Sequence, residues 1–315
     1  MEDIQCIFCN RSSDQIVIEE SGFKGRKCPQ CGLIFISPRP TFSEILNLYV
    51  HNQARASAQL RIYADFIKRL YARHHLAIIK KYIRSGSLLE IGAGAGYFLE
   101  EAKKEGFEVY GIELNKVQAN FINHTLAIPC EESPLDESSF DGRKFDIVYH
   151  CDVISHFYDP IAEFRKTNDK LSDNGILVFE TGNLGDVEEK YYRAFTEFQY
   201  PDHLFFFGEN NLKELLKLTG FELIKIYRYS ILSELLISKM SKKVLDFIKY
   251  RATTRNLGTD SAGEVASSSI GGVSFKRLIK NAHGYFLFLV RYRIGYVTPK
   301  KGRPQTVIVI ARKST

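Results

Sequence analysis

The sequence predicts an α/β fold built on a mostly parallel sheet whose last strand runs antiparallel, with a small cysteine-bearing module in front. Three observations predict it. The stretch Ser87–Asn115, SLLEIGAGAGYFLEEAKKEGFEVYGIELN, reads as strand, glycine turn, helix, strand and terminal acid. Short apolar runs then alternate with helical patterns as far as Glu180, as expected of a parallel sheet covered on both faces. Far downstream, Gln305–Arg312 is a β-prone run suited to a closing strand.

The N-terminal module, residues 1–40, is defined by Cys6-Ile-Phe-Cys9, then 18 residues, then Cys28-Pro-Gln-Cys31. Each CxxC turn can present two thiolates on one side, and two turns together supply the tetrahedral four-sulfur set that structural zinc prefers. Gln15–Glu19 reads as a strand, Gly22–Arg26 as a turn and Leu33–Ile36 as a second strand. That is a zinc ribbon, with an iron site or a metal-free fold as alternatives. Four protein ligands leave no open position, so the expected role of Cys6, Cys9, Cys28 and Cys31 is structural. So short a segment has little core, and the metal should supply much of its folding energy.

Residues 41–85 form a helical bridge. Thr41 or Ser43 can cap a short helix, Glu44–Tyr49. A longer helix over Ala56–Arg84 carries Tyr63, Phe66, Ile67, Leu70, Tyr71, His74 and Ile78 on one face. His74 and His75 read as packing residues.

The main domain covers 86–230 plus 303–315. Leu88, Leu89 and Ile91 make the first strand, Gly92, Gly94 and Gly96 the turn, and Tyr97–Lys104 the helix. The second strand, Glu108–Ile112, ends on Glu113, where a carboxylate can accept from both hydroxyls of a ribose. The spacing E-x-G-x-G-x-G from Glu90 differs from the dinucleotide pattern G-x-G-x-x-G, because Tyr97 stands at the required glycine. Helix Val117–His124 leads to a third strand, Ala127–Cys130, followed by Glu131, Glu132 and Ser133; Asp136–Gly142 is a polar loop. Phe145–His150 is the fourth strand, followed by Cys151-Asp152-Val153-Ile154-Ser155-His156-Phe157-Tyr158-Asp159-Pro160. Helix Ile161–Leu171, a turn at Asp173-Asn174-Gly175 and a fifth strand, Ile176–Glu180, complete this half.

Beyond it, Tyr191, Tyr192, Phe195, Phe198 and Tyr200 crowd one segment, either as the wall of a ligand pocket or as the core of a lid. Pro201-Asp202-His203 follows. Helix Glu209–Thr219 and a sixth strand, Phe221–Tyr229, precede an insertion over 231–302. The insertion holds helical patterns at Glu234–Tyr250 and Phe275–Tyr292, with a Gly/Ser-rich linker, Asn256–Gly272, between them. From Lys239 to Thr315 there are 16 Lys and Arg against 3 acids, a net +13, whereas the whole chain carries only +6. A basic quarter on an acidic body suits phosphates, nucleic acid or an anionic membrane surface, or is simply a solvated face.

The motif from Glu90 to Gly96, with Glu113, resembles that of the class I S-adenosylmethionine-dependent methyltransferases. The segment Cys151–Pro160 is similar to their "xxVLEHxxDP" pattern, with His156, Asp159 and Pro160 matching and Ser155 replacing the Glu. Pro201–Phe207 resembles their "HxxxF" segment. Cys28–Tyr49, CPQCGLIFISPRPTFSEILNLY, resembles the opening of a bacterial subset that carries paired CxxC knuckles. The resemblance implies a Rossmann-like, seven-stranded methyltransferase sheet. It implies S-adenosylmethionine held by Glu90, Gly92, Gly94, Gly96 and Glu113, with Glu131 and Glu132 beside the adenine and Cys151 near the methionine part. The bridge helix should partly cover the cofactor. His203 is the first candidate for a general base and His156 for orienting the acceptor or taking its proton, since imidazole titrates near working pH; His156 could equally bond only to a loop.

Sugar C-methyltransferases, with a related zinc module, suggest a small acceptor, anionic or phosphate-bearing and sugar- or nucleotide-linked. An RNA acceptor and a non-catalytic S-adenosylmethionine-binding regulator are the alternatives. No run reaches the ~20 apolar residues of a membrane span, though peripheral contact is compatible with the basic quarter. With no apolar leader after Met1 and no secreted-type cysteine framework, the expected compartment is cytoplasmic.

Overall fold

The computed structural model describes residues 1–50, 59, 62–63, 65–136, 139–242 and 270–314. In chain order the main elements are strands β1 (Ile16–Glu20), β2 (Phe23–Lys27) and β3 (Ile34–Ile36), then helices α1 (Phe42–Val50) and α2 (Asp65–Ile79). There follow β4 (Ser87–Ile91), α3 (Tyr97–Lys104), β5 (Glu108–Ile112), α4 (Lys116–His124), β6 (Cys130–Glu131) and β7 (Phe145–Cys151). Next come α5 (Pro160–Lys170), β8 (Leu171–Gly182), β9 (Phe205–Phe206), α6 (Glu209–Leu218), β10 (Phe221–Ser230), α7 (Ile270–Leu289) and β11 (Gln305–Lys313).

The large sheet has seven strands in the order β10-β11-β8-β7-β4-β5-β6. Strands β4 to β8 pair in parallel, and β11 runs antiparallel to both β8 and β10. Alternate residues enter opposite layers. Leu89, Val148, Val307 and Val309 face one core, while Leu88, Ile147, Ile308 and Ile310 face the other. This is the two-sided burial that the apolar runs predict. Helix starts follow local chemistry: the Asn115 side chain accepts from the Val117 and Gln118 amides, and Asp159, ahead of Pro160, accepts from those of Ile161 and Ala162.

Some boundaries differ from expectation. The third strand of the main sheet shrinks to Cys130–Glu131, because Ala127 adopts φ 50° and cannot extend the ladder. The expected turn at Asp173–Gly175 lies inside β8, whose register with β7 slips between Phe145 and Ile147. The second insertion helix begins earlier, at Ile270, and continues into a π-helical turn, Val290–Ile294. Residues 256–269 of the expected linker, and the second half of the first insertion helix, lie outside the described residues.

The second sheet has the order β1-β2-β3-β9, all antiparallel. Its fourth strand comes from the far side of the main domain, with Ile34 opposite Phe206 and Phe35 opposite Phe205. Leu33, Ile34, Phe35 and Ile36 are buried in the same core as Phe179 and Phe207. The module is therefore packed into the domain at the end of the sheet where β9 lies.

Candidate functional site

The glycine turn joins β4 to α3. Gly92 has φ 69°, and a Cβ there would lie 2.7 Å from Val153 Cγ2; Gly96 has φ 72°, and a Cβ would lie 2.7 Å from Ile122. Both positions exclude a side chain on conformation and on space. Glu113, just past β5, accepts from the amides of Gly94 in the turn and of Asn115, each at 2.7 Å. Glu90 is buried, and burial followed by the charge of Glu113 pushes its carboxyl well above the usual range. Its Oε2 has no hydrogen-bond partner among the described residues, and neither has the buried Nε2 of Gln118. Gln118 lies beside Gly94. Two unsatisfied buried polar atoms around a turn of only glycine and alanine suit a polar nucleoside cofactor. Gln118 was not legible in the sequence, since nothing but its place in the first turn of α4 distinguishes it.

At the neighbouring edge, Glu131 Oε1 accepts from the Phe140 amide at 2.6 Å and so ties the loop after β6, while Glu132 is exposed. Cys151, at the end of β7, points toward a group not expected from the sequence: the ligand atoms of His75, Cys151 and Glu180 all lie within 4.8 Å of one another. His75 Nε2 meets Glu180 Oε2 at 2.5 Å, and Nδ1 meets the Tyr149 hydroxyl at 2.5 Å. The Tyr292 hydroxyl donates to Glu180 at 2.9 Å, and so does Thr306 Oγ1. Arg291 pairs with Glu234 at 2.7 Å and approaches Glu180 at 3.5 Å. Burial works to raise the Glu180 carboxyl, yet His75 and Arg291 overcome it and hold it at about 2. The π-helical turn that presents Arg291 and Tyr292 thus anchors the insertion to the carboxyl end of β8. Asp152, in a left-handed conformation at φ 55°, bonds its amide to the Glu180 carbonyl.

The segment after β7 runs from Val153, against Gly92, to His156. His156 and His203 are brought together edge to face, with ring centroids 4.7 Å apart. His156 Nδ1 lies 3.1 Å from Asp202 Oδ1 and 3.0 Å from the Asp202 carbonyl. The Leu204 amide donates to the Ser155 carbonyl at 2.7 Å, fixing the two segments side by side. Burial disfavours charge on His156, but Asp202 outweighs it and raises the imidazole above its ordinary value. His203 goes the other way: burial first, then the charge of His156, lowers it to about 4. Its Nδ1 is buried without a partner among the described residues. Asp202, which no sequence pattern marks, is the group that favours charge on His156, and that charge adds to burial in lowering His203.

The aromatic segment packs on β9. Tyr192 and Phe195 meet Phe198, and Phe198 and Tyr200 meet Phe206. Glu20, at the end of β1, accepts from the Phe198 and Tyr200 amides at 2.7 and 2.9 Å. Tyr191 instead lines a separate cleft of about 410 Å³, with Lys190, Arg193, Leu232, Leu236 and Lys239. In the N-terminal module, Cys6, Cys9, Cys28 and Cys31 bring their sulfurs within 4.8 Å of one another. A tetrahedron of zinc–sulfur bonds needs sulfurs about 3.8 Å apart, so the four thiols suit such an ion. The side-chain amide of Asn211 in α6 donates to the Cys31 carbonyl at 3.0 Å, tying this cluster to the main domain.

Sheet order, glycine turn and acidic strand end together define a class I, nucleoside-cofactor-binding α/β domain. The chain belongs to the Methyltransferase domain family, whose profile matches residues 60–226. It is 27% identical over 130 residues to a tRNA U34 carboxymethyltransferase of Helicobacter hepaticus, covering 37% of this chain and 40% of that protein. It is 29% identical over 101 residues to a ubiquinone biosynthesis O-methyltransferase of Ruegeria pomeroyi, covering 30% and 41%. The chain thus spans about two fifths of the length of these curated relatives. A chain of the solved Trm112 methyltransferase activator complex of Haloferax volcanii is 12% identical, with a TM-score of 0.50, covering 86% of this chain and 98% of that one. That likeness concerns the fold alone.

Proposed function

We propose that this chain transfers a methyl group from S-adenosylmethionine to a small acceptor, anionic and sugar- or nucleotide-linked. The observation that carries the reading is the His156–Asp202–His203 constellation, joined through Val153 to a turn with the family's glycine spacing. Bound S-adenosylmethionine supplies an electrophilic methyl group and leaves as S-adenosylhomocysteine. Gly92, Gly94 and Gly96 admit it, Glu113 accepts from its ribose, Glu90 and Gln118 offer the unsatisfied polar atoms, and Glu131 borders the adenine. Lys68, whose charge bears on Glu90, Cys151 and Asp152, suits its carboxylate.

His203 stays neutral at working pH and accepts from an acceptor hydroxyl. A weakly basic imidazole is enough, because a hydroxyl becomes far more acidic than imidazolium as it gains a methyl group. His156, whose charged form Asp202 favours, orients the acceptor. Positioning supplies the rest. The four cysteines hold structural zinc, and the module's role is to carry β9 and hence His203.

The test is calorimetry with S-adenosylmethionine, then release of S-adenosylhomocysteine across nucleotide-linked sugars, phenolic quinol precursors and tRNA. The expected result is cofactor binding, and turnover on a small phosphate-bearing acceptor that His203→Ala strongly reduces. Folded protein that binds no cofactor, with Glu113→Ala changing nothing, overturns the reading. The basic quarter and the likeness to a tRNA-modifying enzyme support RNA as a second reading, which tRNA turnover would select. Tight cofactor binding with no turnover on any acceptor would make the chain a non-catalytic binder.

A further inference from the structure

Helix α7 is apolar on a face that no described element covers. Its inner face is fully engaged: a Cβ at Gly284 would strike Ile67 of α2, and Phe288 and Tyr292 pack on Tyr71 at 5.7 and 5.5 Å. The opposite stripe follows helical spacing through Leu278, Ala282, Tyr285 and Leu289, flanked by Ile279 and Phe286. Leu278 is 64% exposed, Ile279 54%, Tyr285 45% and Phe286 49%. Past the helix, Tyr296 and Val297 are 59% and 79% exposed. A contiguous apolar stripe of this kind marks a contact surface rather than ordinary scatter.

Charge decides which partner fits. Lys280 is exposed on the same helix and Arg293 just past its end, whereas Lys300 and Lys301, farther along the chain, line a cleft with Asp186 and Glu209. No acid occurs between Lys276 and Lys313, a stretch that holds the whole of the stripe. Two copies meeting through this face would bring like charges together. An anionic bilayer matches both features, taking the aromatic and aliphatic side chains into its interface while its headgroups meet the cations. Among the described residues no helix is long and apolar enough to cross a membrane, which fits a helix lying in the plane.

We propose that the outer face of α7, with Lys280 and Arg293, docks the protein on an anionic lipid surface. This goes beyond the methyl-transfer reading and stands without it. The test is co-sedimentation of the full chain with vesicles of phosphatidylcholine alone, or with about 30 mol% phosphatidylglycerol as an order-of-magnitude physiological charge, at low and high salt. The expected result is binding to the anionic vesicles only, weakened by salt. Leu278→Glu with Phe286→Glu should reduce it at least tenfold, and Lys280→Glu with Arg293→Glu by about tenfold. The milder pair Leu278→Asn and Phe286→Ser, checked by circular dichroism, serves if the charged pair misfolds. Absence of binding to anionic vesicles overturns the proposal. So does dimerisation or polynucleotide binding that the apolar substitutions remove while vesicle binding stays unchanged. A loss of thermal stability in those variants with no vesicle binding in the parent would assign the stripe to cover by another part of the chain.

Discussion

His156 and His203 face each other with centroids 4.7 Å apart, yet their environments drive their charges in opposite directions. Asp202 favours the charged form of His156, and that charge, added to burial, disfavours a second one on His203. Titration followed by imidazole proton resonances should therefore show His156 losing its proton above the ordinary value of 6.5 and His203 well below it, at about 4. In Asp202→Asn the two should move toward each other. Methyl transfer should fall as pH rises through the His156 value. His203→Ala should cost about 10²- to 10⁴-fold in turnover, with cofactor affinity changed less than about threefold.

Glu113, the acid at the end of β5, ties the Gly94 amide of the glycine turn to the Asn115 amide ahead of α4. Glu113→Ala should weaken S-adenosylmethionine binding by about 10- to 100-fold in calorimetry, the loss of one or two hydrogen bonds to a charged group. Glu113→Gln should recover part of it.

Metal should be present at one equivalent per chain by elemental analysis. Stripping it with a strong chelator, or Cys28→Ser, should disturb the near-ultraviolet signal of the Phe198–Phe206 cluster and abolish methyl transfer. Cofactor affinity should remain, because the glycine turn does not share a strand with the module.

Glu180 is the buried acid at the centre of a five-element network. Glu180→Gln should destabilise the fold by about 3–5 kcal/mol, the usual effect of breaking a buried pair, read from urea midpoints at pH 7. Because its folded value is depressed to about 2, the stability it contributes is complete above the ordinary 4.5 and is lost as pH falls toward 2. Buried His150 acts in the same direction. Burial lowers it to about 3, so its contribution is complete above 6.5 and is lost as acid charges the unfolded chain. His150→Phe should flatten the acid side of the stability profile.

The parallel strands were legible because burial on both faces writes each one as an apolar run between turn residues. The closing strand was legible for the same reason, despite the insertion before it. Strand β9 was not: Phe205 and Phe206 lie in a run of apolar residues that gives no sign of pairing with Ile34 and Phe35. The His75–Glu180 network was equally hidden, since α2, β7, β8, β11 and the π-helical turn each contribute residues that look like ordinary core or surface. In the candidate site, the glycine spacing and the two histidines could be picked out by residue type. Gln118 and Asp202 could not, because what distinguishes them is where the chain brings them.

The pairing of β3 with β9 also bears on how the chain folds. The outer edge of β3 is capped only by residues far along the sequence, so a chain still being made, or one cut after residue 40, would present that edge with Ile34 and Phe35 beside it. An uncovered apolar edge strand invites pairing with other molecules. The pairing is also non-local and slow to form. The module cut free should aggregate even when loaded with metal, and refolding of the whole chain should lag behind metal uptake until residues 205–206 arrive.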